Sequence, residues 1–218
     1  MTPRLGYALS SEEHGPRALV RNAQAAEEAG FGFALISDHF HPWIEQHPHS
    51  PFVWGTLGAI AEATESLEVG TGVTCPTTRI HPAIIAHAAA TAATLMPGRF
   101  FLGVGTGENL NEHVLGQKWP DWDVRVEMLE EAIQVIRELW RGEVTSHRGR
   151  YYQVENARLY TLPEAPPPIF VAAGGSRMAG RAARIGDGLI GTSPERELVD
   201  AYQTAGGHGP HFGQVTLC

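Results

Sequence analysis

Apolar positions along the chain alternate between two spacings. Short continuous runs at Leu5–Leu9, Phe31–Ser37, Leu67–Val73, Arg99–Gly103, Pro167–Ala173 and Leu189–Thr192 have the length and composition of strands covered on both faces. Between them the spacing becomes helical. Leu19, Val20, Ala23 and Ala26 share one face of Pro16–Ala29, which Gly30 stops, and Leu57, Ile60 and Ala61 share one in Phe52–Thr64. An alanine-rich helix opens at His81-Pro82, where proline suits the first turn, and ends at Met96 before Pro97-Gly98. The most periodic segment is Asp123–Arg141, with Val124, Met128, Leu129, Ala132, Ile136 and Leu139 facing one way. Helices are also predicted over Ser176–Arg184, ended by Gly186, and over Pro194–Thr204, with a last strand at Gly213–Leu217. Glu143–Thr161 breaks the alternation: β-formers on both sides of Gly149 predict a hairpin inserted into the β/α pattern.

Seven strands alternating with six helices predict an α/β fold, wound by right-handed crossovers into a parallel barrel or an open doubly wound sheet. No dinucleotide fingerprint follows strand one, which favours the (β/α)8 TIM barrel. The expectation is one barrel domain over residues 1–218, truncated after strand seven, with residues 143–161 as the hairpin insertion. Unpaired edges on strands one and seven would need cover from sequence beyond Cys218 or from a partner subunit, and a homodimer is the expected assembly.

Composition narrows the function. With 218 residues, 43% hydrophobic and 18% charged, the chain can bury a sizeable core. A net charge of -8 supplies no basic footprint for nucleic acid, so a small molecule is the expected partner. Cys75 and Cys218 make no disulfide framework, no apolar signal region follows Met1, and no run approaches the ~20 apolar residues of a membrane span. The expected location is cytoplasmic.

In a parallel barrel all strand C-termini meet at one rim, and three segments there carry chemistry. The first is Ser37-Asp-His-Phe-His-Pro-Trp43, where His39 suits proton transfer and Trp43 offers a flat wall with one donor. A solvated polar loop is the alternative. A metal would need His39, His41, His47 and His49 to converge, and their spacing matches no standard zinc site. The second is Gly103-Val-Gly-Thr-Gly-Glu-Asn-Leu-Asn111, which fails the dinucleotide pattern because Glu108 stands three positions after Gly105. Its glycines would let backbone approach a flat ligand, with Glu108 as a candidate acid or counter-charge to His39; a plain glycine turn is equally open. The third, Ala172-Ala-Gly-Gly-Ser176, is either an anion site at a helix N-terminus or an ordinary turn with Ser176 as N-cap.

Together, Ser-Asp-His-Phe-x-Pro-Trp, Gly-Val-Gly-Thr-Gly-Glu-x-Leu-Asn-Glu and Ala-Ala-Gly-Gly resemble the F420-dependent glucose-6-phosphate dehydrogenase family of the luciferase-like monooxygenase superfamily. The resemblance implies a barrel binding the deazaflavin coenzyme F420, a hydride carrier, at its mouth, and an oxidoreductase acting on an alcohol. It implies His39 as general base, Trp43 lining the reacting centre and Glu108 as an acid. It implies Asp38, Gly107, Asn111, Gly174, Gly175 and Ser176 as cofactor contacts, and a cis peptide between Gly72 and Val73 behind the ring. Glu12 and Phe40 fall in the substrate pocket, and no metal is required. An FMN-dependent monooxygenase of the same superfamily, or a non-catalytic truncated relic, are the alternatives. Where the family carries a lysine after the Thr-Ser pair of strand six, Thr192-Ser193 is followed by Pro194 and Glu195, which points to a neutral alcohol rather than a phosphosugar.

Overall fold

The computed structural model describes residues 3–215. The chain runs β1 (Gly6–Leu9), α1 (Pro16–Glu28), β2 (Phe33–Ile36), α2 (Val53–Ala63), β3 (Glu68–Thr71), α3 (Pro82–Leu95) and β4 (Phe100–Val104). It continues through a short helix α4 (Asn109–Glu112), α5 (Trp122–Leu139), β5 (Thr145–Arg148), β6 (Gln153–Ala157), β7 (Ile169–Ala173), α6 (Ser176–Ile185), β8 (Gly188–Gly191), α7 (Arg196–Thr204) and β9 (His211–Gly213). Seven strands form one sheet in the order β1-β2-β3-β4-β7-β8-β9, and every pairing within it is parallel. β5 and β6 pair antiparallel as the separate hairpin.

The sheet curls into an open barrel. Phe33 on β2 and Phe212 on β9 stand five strands apart, which in a flat sheet is about 24 Å at ~4.8 Å per strand; their ring centroids are 4.7 Å apart. Phe101 and Phe170 complete the cluster, Phe101 stacking on Phe212 at 5.5 Å. Glycines on neighbouring strands make room for these rings: a Cβ at Gly6 would sit 2.1 Å from Phe33, at Gly70 2.0 Å from Phe101 and at Gly188 2.6 Å from Phe170. Large residues on some strands and none on their neighbours fill a small barrel without overpacking. Residues alternating with these, such as Ile36, Val69, Leu102, Val171 and Leu189, point outward into the main core beneath the helices.

The final strand is a correction to the sequence reading. It forms at His211–Gly213 rather than over Gly213–Leu217, because Ile190 pairs with Phe212 and the Phe212 ring fills the barrel interior; Leu217 lies outside the described residues. The sequence also gave no sign of α4, whose four residues are too few for a periodic pattern. Among the described residues β1 and β9 each pair on one side only, so the barrel does not close.

Candidate functional site

Parallel pairing brings the loops after β1, β2, β3, β4, β7 and β8 to one rim. The loop after β1 is fastened to the end of β2: the Ser11 amide donates to Ser37 Oγ at 3.0 Å and the Ser11 hydroxyl to the Ser37 carbonyl at 2.8 Å. This sets Glu12 beside His39, with Glu12 Oε1 2.6 Å from His39 Nδ1 and both side chains largely buried, 4% and 13% exposed. Neither atom has an aligned hydrogen-bond partner, so the pair is a close contact rather than an ideal hydrogen bond. The other Glu12 oxygen accepts from Ser37 Oγ at 2.9 Å and Ser10 Oγ at 3.1 Å. Burial pushes the Glu12 carboxyl upward, but His39, its own loop amide and Ser37 outweigh it and bring it down to about 2.

Trp43 packs edge-on to His39, ring centroids 4.8 Å apart, and is itself 54% exposed, as is Phe40 at 53%. Glu108 follows β4, and burial pushes its carboxyl up while nearby His39 pulls it part of the way back. His39, Trp43 and Glu108 thus stand together at one rim, His39 against the Trp43 ring and near enough to Glu108 to act on its carboxyl. The floor of the mouth is made of small or apolar residues. Val73, Gly105 and Ala172 converge so that a Cβ at Gly105 would come within 2.8 Å of Val73 and 3.6 Å of Ala172, and a Cβ at Gly103 within 2.9 Å of Ile190. The Gly72–Val73 peptide is cis. Beyond it Thr74 resumes pairing with β4, its amide donating to the Gly103 carbonyl at 2.9 Å. Gly107 has φ +78°, and a Cβ there would also strike Cys75, so glycine is required.

Two expected cofactor contacts are committed inward. The Asp38 carboxylate is buried, accepting from Thr74 Oγ1 at 2.7 Å and Arg79 Nη2 at 2.9 Å. Asn111 Oδ1 accepts from the Phe40 and His41 amides at 2.8 and 3.0 Å, tying α4 to the His39 loop. At the start of α6, Gly174 and Gly175 face open space, where a Cβ would meet no atom within 4 Å. Gly175, in extended backbone, is the N-cap, and Ser176 is the first helical residue, its hydroxyl donating to Glu197 at 2.7 Å. Glu195 is exposed at the start of α7 and accepts from Ser193 Oγ at 2.5 Å.

The four loop histidines do not converge. His41 Nδ1 donates to the Leu110 carbonyl at 3.0 Å, His47 lies 3.8 Å from Glu13, and His49 sits against Gly15. Among the described residues no group of three or more His, Cys, Asp and Glu could hold a metal. A cavity of about 470 Å³ lined by Arg137, Trp140, Arg141 and Asp187 lies at the N-terminal end of β7 and β8, opposite these groups. Sequence reasoning missed Arg79 and Thr74 and gave no role to Glu112, the last residue of the second rim motif, although all three stand in the midst of this network; nothing in Thr77-Thr-Arg-Ile-His81 distinguishes Arg79 from a surface arginine.

The sequence profile of the luciferase-like monooxygenases matches residues 1–212. The chain belongs to this family. Within the luciferase-like monooxygenases it is 46% identical over 192 residues to an F420-dependent glucose-6-phosphate dehydrogenase of Tsukamurella paurometabola, covering 87% of this chain and 57% of that protein. To an F420-dependent hydroxymycolic acid dehydrogenase of Mycobacterium tuberculosis it is 47% identical over 197 residues, 90% of this chain and 54% of the relative. The chain thus spans little more than half the length of these curated relatives. Among solved structures, an F420-dependent secondary alcohol dehydrogenase in complex with an F420-acetone adduct superimposes with a TM-score of 0.91 at 31% identity, covering 98% of this chain and 68% of that one. No helix among the described residues is long and apolar enough to cross a membrane.

Proposed function

We propose that this chain binds coenzyme F420 at the barrel mouth and serves an oxidoreductase passing a hydride between an alcohol carbon and that cofactor, with His39 as general base. The observation that carries this reading is the Glu12–His39 pair, 2.6 Å apart, with His39 near enough to Glu108 to pull on its carboxyl. That the chain's relatives are named as F420-dependent dehydrogenases supports the choice of cofactor. When bound, F420 supplies a deazaflavin ring that carries the hydride.

The site fits such a group. Val73, Gly105 and Ala172 line the floor with small apolar groups, while Gly72 and Gly107 are packed from the protein side by Leu35 and Cys75. Gly174 and Gly175 leave room at the N-terminus of α6 for an anionic tail, where free amides favour negative charge. Asp38 and Asn111 support this pocket from beneath, holding the loops in place, and Ser176 would exchange Glu197 for the tail. Facing the floor, His39 receives the hydroxyl proton on its free ring nitrogen. Glu12, held ionised, stabilises the imidazolium that results and fixes the ring. Glu108, whose carboxyl is raised, keeps a proton to higher pH than an ordinary glutamate and serves as the acid. Trp43 and Phe40 wall the substrate side.

The substrate is proposed to be a neutral or apolar alcohol. Glu195 stands exposed at the start of α7, so a phosphosugar would meet a like charge there. The assembly is proposed to be a homodimer, a second copy being one of two ways, with further sequence the other, to cover the edges of β1 and β9 that pair on one side only among the described residues.

Anaerobic titration of the chain with F420 and, in parallel, with FMN tests the cofactor, followed by a screen of neutral alcohols against glucose 6-phosphate. Saturable F420 binding and reduction by a neutral alcohol are expected. Preference for FMN, or no binding of either, would overturn the reading; efficient turnover of glucose 6-phosphate, unchanged in Glu195→Lys, would overturn the substrate class.

A further inference from the structure

Arg79 lies in the loop between β3 and α3, outside both segments that carry the proposed acid and base. Its guanidinium is 7% exposed, while the carboxylates on either side, Asp38 and Glu112, are each 1% exposed. Arg79 Nη2 donates to Asp38 Oδ1 at 2.9 Å and to the Asp38 carbonyl at 3.3 Å, gripping the backbone directly before His39. The Arg79 amide donates to Glu112 Oε2 at 2.6 Å, and Arg79 Nε faces Glu112 Oε1 at 3.6 Å. Glu112 ends the α4 turn that Glu108 opens, and its neighbour Asn111 holds the Phe40 and His41 amides. Three successive rim loops are therefore closed into a ring: the β2 loop to Arg79 through Asp38, Arg79 to α4 through Glu112, and α4 back to the β2 loop through Asn111.

Surface pairs of this kind contribute little, but this one is buried, and buried charge networks hold their members to narrow geometry. Arginine suits the place because its planar fork reaches a carboxylate and a carbonyl together, which a lysine ammonium on a flexible stem does not. We propose that Arg79 is a positioning residue that sets the separation of His39 and Glu108 across the mouth, acting through Asp38 on one side and Glu112 on the other. The catalytic part of this inference rests on the proposed roles of His39 and Glu108; the mechanical part does not.

The test therefore has two independent readouts on Arg79→Met and Arg79→Lys. The first is amide exchange in the chain alone. In Arg79→Met the Phe40 and His41 amides are expected to exchange faster by about tenfold or more while the β2 and β4 amides hold their rates, with partial return in Arg79→Lys. The second is turnover: kcat is expected to fall ~10- to 100-fold, the loss that follows small misplacement of reacting groups, while F420 affinity stays within about threefold. Unchanged exchange at Phe40 and His41 would overturn the clamp. Exchange rising evenly over the sheet, with F420 affinity and kcat falling together with the unfolding midpoint, would reduce Arg79 to a stability residue and overturn the proposal equally. Should Arg79→Met fail to fold, Glu112→Gln opens the ring from the opposite side and is read in the same way. If the unmodified chain binds no F420, the functional reading falls, and the exchange result still decides the clamp.

Discussion

At Glu12 the fold holds a carboxyl at about 2 against an ordinary 4.5, against the upward push of burial and through His39, the loop amide and Ser37. A depressed carboxyl stabilises the native state where it is ionised in both states, so this contribution is complete above about 4.5 and is lost as pH falls toward 2. Glu12→Gln is expected to flatten that part of the acid limb, read as the thermal midpoint across the same window. A limb as steep as that of the unmodified chain would contradict it. His39→Ala is expected to leave F420 binding intact and slow single-turnover reduction ~10²- to 10⁴-fold, the range for loss of a positioned base. The place of His39, Trp43 and Glu108 at the rim was legible because polar groups that directly follow a buried strand must emerge there. Arg79 was not, since its importance lies in two carboxylates that come from other strands.

Among the elements, the hairpin β5–β6 shows how a single side chain can dock an insertion. Glu131 on α5 accepts from the amides of Arg150, Tyr151 and Tyr152 at 2.8–3.1 Å, and burial is outweighed by these donors and by His147, so its carboxyl is lowered. Tyr152 is buried beside it, its hydroxyl donating to the Thr77 carbonyl at 3.0 Å. Glu131→Ala is expected to cost roughly 1.5–3 kcal/mol, the range for hydrogen bonds to a charged group, and to raise exchange at residues 150–152. A urea midpoint equal to the parent's would oppose this. A comparable staple is Glu27, whose carboxylate accepts from the amides of Glu65, Ser66 and Leu67 and joins the end of α1 to the start of β3. The hairpin itself could be read from β-formers flanking Gly149; its docking partner could not, because α5 shows its polar face only as a run of ordinary charges. The short α4 escaped for want of length, and the end of β9 because Phe212, not the apolar run after it, is what the barrel interior accepts.

For the molecule as a whole, glycines set against phenylalanines let the barrel interior be filled without overpacking. Gly70→Val would drive a branched side chain into the Phe101 ring, where a Cβ already sits 2.0 Å away, and is expected to cost roughly 1–3 kcal/mol or more by overpacking. Phe212→Ala removes the ring that meets Phe33, Phe101 and Phe170, and is expected to cost roughly 2–4 kcal/mol, less than for a fully enclosed phenylalanine. Chemical unfolding of both variants measures this, and a neutral Gly70→Val would mean the interior is looser than its contacts imply. The sequence by itself determined the parallel β/α alternation, the rim segments and the family resemblance, because strand and helix periods and strand-end motifs are local properties of a chain. Only the tertiary structure decided that Arg79 joins Asp38 to Glu112, that Glu12 meets His39, and that Phe33 meets Phe212. Each of these joins residues far apart in sequence, the first two through loops that follow neighbouring parallel strands and the last through the curl of the sheet, and no local pattern encodes which buried charge or ring will face which.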